Sequence, residues 1–130
     1  MDTSGIPPKS VISLLRLDGL AVAAAVIAAF AVTGGNWWIF GLLILAPDLS
    51  MLGLALGEKM GARIYNWAHS YTLPIILGAA GSFGGPIWLL HVALIWAAHI
   101  AIDRAIGYGL KYPSDIHSTH LGVMGKARRA

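Results

Sequence analysis

Asp48, His69, His99 and Asp103 have the residue types that hold a cation. His99 and Asp103 stand four apart, so a helix would put them on one face. Two imidazoles and two carboxylates suit a divalent ion such as zinc, manganese or iron. A site of this kind left open on one side can activate water for hydrolysis. The same four groups could instead latch helices together or relay protons without any ion. Two facing imidazoles also fit a haem, but the neighbouring carboxylates make that the weaker reading. Asn66, three residues before His69, shares its helical face and is a candidate catalytic or substrate-contacting group. His120 is a second catalytic candidate, as an extra ligand or acid-base group.

Several other chemistries find no support. The chain has no cysteine, so disulfides, thiolate metal sites and thiol nucleophiles are excluded. It contains no P-loop, no dinucleotide-binding fingerprint and no G-x-S-x-G. The net charge of +3 is modest, and its distribution reports orientation in a membrane, not a nucleic-acid partner.

The elements that must position these residues are membrane spans. Of 130 residues, 57% are hydrophobic and 12% are charged, with a mean hydropathy of +0.70. A soluble domain is about a quarter charged. The composition therefore predicts an all-α, polytopic membrane protein forming a single domain over residues 1–130. Apolar runs fall at about 11–32, 37–56, 61–80 and 87–106. Each is long enough for one bilayer core of about 30 Å at 1.5 Å per residue. The linkers "TGGN", "GEKM" and "GSFGGP" are short, which predicts an antiparallel bundle of four transmembrane helices. The first run is too long for a signal-peptide core and reads as a retained span.

Charge sets the expected orientation. Lys9, Arg16, Lys59, Arg63, Arg104 and Lys111 flank one side, and "TGGN" and "GSFGGP" carry no Lys or Arg. Both termini and the middle loop are then expected in the cytoplasm, with Trp37, Trp38 and Trp88 at the opposite interface. In that orientation Asp48, His69 and His99 all lie roughly 10–13 Å from the inner boundary. Each intramembrane Asp or Arg costs about 2.5–3.5 kcal/mol on insertion scales, so such groups should face one another.

Other residues refine the picture. Arg16 is expected to pair with Asp48 or Asp103, or to snorkel to the interface. Asp18, two residues on, must face elsewhere and is expected to pair with another span. Arg104 reads as an interfacial anchor and His91 as structural. Pro47 removes a helix hydrogen bond and frees the carbonyl of Leu43, which predicts a kink beside Asp48. Gly53, Gly57 and Gly61 recur every four residues, a spacing for close helix contact. Gly107 and Pro113 end the fourth span. The tail 107–130 holds His117 and His120, either on a plain surface tail or on a lid over the polar cluster. "KARRA" suits anionic lipid.

The motifs "WWIFGLLILAPDLSMLG", "YNWAHSYTLP", "HIAIDRAIGYGLKY" and "THLG" resemble the domain-of-unknown-function 4260 family of small bacterial membrane proteins. The resemblance spans nearly the whole chain. It implies recurrent polar positions at Arg16, Asp48, Asn66, His69, His99, Asp103 and His120, and a bacterial inner membrane as the location. It implies no activity. The order "PD", "HS", "H-x-x-x-D" is more distantly similar to inner-membrane metal-dependent hydrolases, in which a further His precedes "HS" by five residues. Ile64 stands at that position here.

Two functions follow as expectations. One is a metal-dependent hydrolase acting on a membrane-embedded or amphipathic substrate. The other is a non-enzymatic subunit: a small transporter, a proton relay or an accessory part of a larger complex. The second implies a homo-oligomer or a partner complex in the lipid bilayer.

Overall fold

The computed structural model describes residues 7–112, 115–119 and 122–123. Among these, the helical elements are α1 (Lys9–Val32), α2 (Trp37–Leu43), a 3-10 helix (Ala46–Leu56), α3 (Glu58–Ala68), α4 (Thr72–Ser82) and α5 (Ile87–Ile106). Three apolar helical segments, Lys9–Val32, Trp37–Leu56 and Ile87–Ile106, are long and apolar enough to cross a membrane. The prediction of an all-α membrane-type chain is thus met at this level.

The prolines decide where the helices break. Pro47 has no N–H, and in a continuous helix its ring would collide with the carbonyl of Leu43. The chain responds by leaving α2 and continuing as a 3-10 helix of 11 residues. Runs of that geometry rarely exceed three or four residues, and they often mark functional positions. Pro74 does the same to the third expected span. Residues 61–80 are not one helix, because α3 ends at Ala68 and α4 begins at Thr72. Pro74 falls in the first turn of α4, where its missing donor costs nothing. The Ser70 hydroxyl accepts a hydrogen bond from the backbone N–H of Thr72 at 3.2 Å and helps start that helix. The expected four continuous helices are therefore replaced, in the second member, by α2 and the 3-10 helix and, in the third, by two short α-helices.

α5 is the central element. α1 packs along it in antiparallel fashion, with Arg16 at Ala105 and Phe30 at His91. The approach is close at Gly19, where an added Cβ would stand 2.7 Å from the backbone nitrogen of Ala105. α4 packs on α5 from another side. α3 and the 3-10 helix form a separate hairpin, turned at Gly57 with φ 106°, a conformation that favours glycine. Gly61 lets the two backbones touch, since a Cβ there would lie 2.7 Å from the Cα of Leu54. Gly53 faces the side chain of Ile64 across the same contact. The four-residue glycine spacing thus divides into two contact positions and one turn.

At the end expected to lie outside, Phe30 meets Trp37, Phe40 and His91 edge-on or nearly so, at ring separations of 5.0–5.3 Å. His91 also donates to the carbonyl of Thr33 at 3.1 Å, a structural contact as expected. Trp38, Phe83 and Trp88 are exposed at the same end. Leu14, Leu17, Leu42, Leu52 and Ile75 are exposed along the flanks, a surface suited to lipid. Asp18 is exposed on α1 and not buried against another span.

α5 ends at Gly107, φ 100°, with the N–H of Tyr108 bonding back to the carbonyl of Asp103 at 2.7 Å. Beyond it the backbone forms three short antiparallel strands, β1 (Lys111–Tyr112), β2 (Asp115–Thr119) and β3 (Gly122–Val123). β1 and β2 lie against α3. Alternating polarity is too weak over two to five residues to announce such strands in the sequence. His117 falls in β2, while His120 lies outside the described residues.

Candidate metal centre

The broken helices bring Asp48, His69, His99 and Asp103 together. One ligand-type atom from each lies within 4.8 Å of all the others. Oδ1 of Asp48 is 3.3 Å from Nε2 of His69 and 3.1 Å from Nε2 of His99. Oδ2 of Asp103 is 3.5 Å and 3.3 Å from the same two nitrogens. The two Nε2 atoms are 3.2 Å apart. His69 and His99 have side chains 0% and 5% exposed, Asp103 is 15% exposed and Asp48 is 44% exposed. The cluster is buried on three sides and open at Asp48.

The other ring nitrogens settle which atoms are free. His69 Nδ1 lies 2.9 Å from the carbonyl of Tyr65, and His99 Nδ1 lies 2.6 Å from the carbonyl of Ile44. A carbonyl can only accept, so each Nδ1 carries a hydrogen and donates it. In a neutral ring each Nε2 is then a bare lone pair. Two lone pairs and two carboxylate oxygens converge on one point.

Local backbone geometry makes these contacts available. In an α-helix the carbonyl of Ile44 would accept from the N–H of Asp48. Here that N–H bonds to Leu45 at 3.1 Å, the 3-10 pattern, and Ile44 is left for His99. The sequence predicted a kink at this point and a carbonyl freed at Leu43. The carbonyl that serves the site is one residue later. Tyr65 not only supplies the acceptor for His69 but also stacks on its ring at 3.8 Å.

The interruption after α3 would strand backbone carbonyls inside the fold. Trp96 Nε1 donates to the carbonyl of Ala68 at 2.6 Å, and Arg104 Nη2 donates to that of His69 at 2.8 Å. Arg104 also reaches the carbonyl of Tyr108 at 3.0 Å through Nη1. It is buried, 9% exposed, and does not act as the interfacial anchor expected from its position. Trp96 and Arg104 are the site-building residues that sequence reasoning missed. A signal was present: Trp96, His99, Asp103 and Arg104 fall at i, i+3, i+7 and i+8, one face of α5.

Arg16 does not join the carboxylates. It donates through Nε to the carbonyl of Ala105 at 2.9 Å, and among the described residues it forms no ion pair with Asp48 or Asp103. The close approach at Gly19 carries Arg16 to the C-terminal turn of α5, where a cation meets the negative end of the helix dipole. Asn66 is half-buried on α3, three residues before His69.

Comparison with known proteins adds one finding. The family described as "Domain of unknown function (DUF4260)" matches residues 12–124. No significant match exists among curated proteins or among solved structures.

Proposed function

The chain belongs to the DUF4260 family, and we propose that its converging Asp48, His69, His99 and Asp103 form a divalent metal centre within the bilayer. The observation that carries this reading is the convergence of one ligand-type atom from each of the four residues, which with neutral imidazoles and ionised carboxylates are four acceptors with no donor between them. Without a cation, two imidazole lone pairs and two carboxylates 3.1–3.5 Å apart repel one another. Backbone carbonyls fix the outer nitrogen of each imidazole, the arrangement that orients histidine ligands in metal sites.

The spacing supports zinc or an ion with similar bond lengths. Ligands about 2.0–2.1 Å from a tetrahedral ion are roughly 3.3–3.4 Å from one another. Five of the six separations among these atoms scatter around that value, and all four atoms lie within 4.8 Å of one another. Manganese and iron share the donor preference in part. A cation held here supplies Lewis acidity and makes water nucleophilic near neutral pH. Asp48, the exposed member, lines the open side through which water or substrate arrives. Asn66 is proposed to contact substrate. The activity is hydrolysis of a substrate that partitions into the membrane.

The chain is further proposed to cross a bacterial inner membrane four times with both termini in the cytoplasm, the third crossing being made by α3 and α4. The aromatic end formed by Trp37, Trp38 and Trp88 supports that orientation. With no native cysteine, Ser82→Cys and Lys59→Cys can be labelled from outside the cell, and only the first should react.

The deciding experiment is metal analysis of protein purified in mild detergent, stripped with chelator and reloaded. Wild type should hold about one ion per chain, and His69→Ala and His99→Ala should hold almost none. Equal content in wild type and both variants would overturn the proposal. A proton-sharing cluster in a non-enzymatic subunit is the reading that would then remain.

A further inference from the structure

A cavity of about 320 Å³ adjoins the cluster, lined by Leu43, Ala46, Pro47, Val92, Ile95 and Trp96, with Ala68 and Ser50 completing it. Several of its lining residues stand close to the proposed ligands in the chain. Pro47 precedes Asp48, Ala68 precedes His69, and Ile95 is one turn before His99. From this we infer that the cavity holds the acyl chain of a membrane lipid, with the carboxyl-derived end of that chain at the four-residue cluster. The inference rests on the metal-centre reading for the head of the ligand, but the tail site is testable by itself.

Three observations carry it. The first is direction. The α5 residues of the cavity lie three to seven positions before His99, so it extends about 5–10 Å from the cluster along that helix. In the proposed orientation that is towards the bilayer midplane. A lipid in the inner leaflet has its polar end and its chain disposed in the same order.

The second is access and size. Ala46 is exposed, and Leu43 and Trp96 are half-exposed on the flank of the molecule. A chain can therefore enter sideways from the surrounding lipid without crossing a polar surface. A volume near 320 Å³ is at the small end of ligand sites, roughly 300–1,000 Å³. It can take part of one chain and not two, the rest of the chain remaining in the surrounding lipid.

The third is Ser50. Its Oγ is buried and has no hydrogen-bond partner among the described residues. A buried hydroxyl without a partner is uncommon in folded proteins. It lies two residues from Asp48 in an otherwise apolar lining, where an ester or carboxyl oxygen would complete it.

The test uses full-length protein in lipid nanodiscs with hexadecanoic acid carrying a mid-chain diazirine. Photolabelling should concentrate on peptides containing Leu43, Val92 and Trp96. Val92→Trp should cut it about tenfold or more, since displacing even two methylenes is worth that much. Metal content and a single symmetric elution peak show that the variant is folded. If Val92→Trp does not fold, Ala46→Phe, at the exposed rim, gives the same reading. Labelling spread evenly over lipid-facing residues such as Leu42 and Ile75, or unchanged in the filled variants, would overturn the tail site. Metal binding with even labelling removes the tail site alone. Focused labelling without metal removes the metal centre alone.

Discussion

His69 and His99 present Nε2 to Nε2 at 3.2 Å while each donates its Nδ1 hydrogen to a backbone carbonyl. The two rings are inclined at 65°, so they do not stack on one another. Their separation is maintained by Tyr65 and Ile44, residues on two different broken helices. The relation of the imidazoles is thus set by main-chain geometry.

Removing one carboxylate should weaken metal binding unequally. Asp103 is nearly enclosed and Asp48 is open to the surroundings. Asp103→Asn is expected to lower metal affinity more than Asp48→Asn, with both variants folded. Competition with a metal-sensitive chelating dye measures the two affinities. Equal loss would show that exposure does not rank the ligands.

Metal retention should fall with acidification. Both imidazoles must be neutral to donate Nε2 to a cation, and protons compete for the same lone pairs. An ordinary imidazole titrates near about 6.5. Protein dialysed at progressively lower pH is expected to lose its ion, and protein held at neutral pH to keep it. The process should reverse on reloading at neutral pH, followed by mass-spectrometric metal analysis.

Arg104→Met should destabilise the fold and the site together. The change leaves the buried His69 carbonyl and that of Tyr108 without their Arg104 donor. Hydrogen bonds to charged groups are worth about 1.5–3 kcal/mol each. Thermal unfolding in detergent should move down by several degrees, and metal occupancy should drop with it. Arg104→Lys, which keeps a charge but not the fork, should recover only part of either quantity.

Trp96→Phe isolates one bond. It removes the Nε1 donor to Ala68 while keeping most of the ring. A cost of about 1–3 kcal/mol is expected for the carbonyl left unpaired. Trp67→Phe, at an exposed position on α3, should be nearly silent in the same unfolding measurement.

Gly61→Val should open the hairpin of α3 and the 3-10 helix. A Cβ at Gly61 meets the backbone of Leu54, which cannot swing aside as a side chain can. Overpacking of this kind costs about 1–3 kcal/mol. Because His69 and Asp48 sit at the base of that hairpin, metal affinity should decline as well. Gly34→Ala, in a turn with open space around it, provides the comparison for local strain without collision.

The membrane character and three of the long apolar segments were legible in composition and run length. So was the meeting of Asp48, His69 and His99, whose depth can be counted from charge asymmetry, and of Asp103, which shares a helical face with His99. The interruption at 69–71 was harder to read. Hydropathy averages over Pro74, and the run 61–80 stays apolar whether or not it is one helix. The partner of Arg16 was not legible either. It depends on how closely α1 approaches α5, which Gly19 decides and no periodicity reveals. Burial of Arg104 belongs to the same class: a cation near a span end satisfies the rule for anchors equally well when it turns inward.

α5 contributes two of the four cluster residues and touches both α1 and α4. It also follows the other described helices in the chain, so it leaves the ribosome after them. A nascent chain that has delivered everything before Ile87 holds Asp48 and His69 without a second imidazole, and its first helix lacks its main packing partner. The arrival of α5 therefore brings the four cluster residues together in one late event. A chain cut short before it should be a substrate for membrane quality control, not a partly active protein.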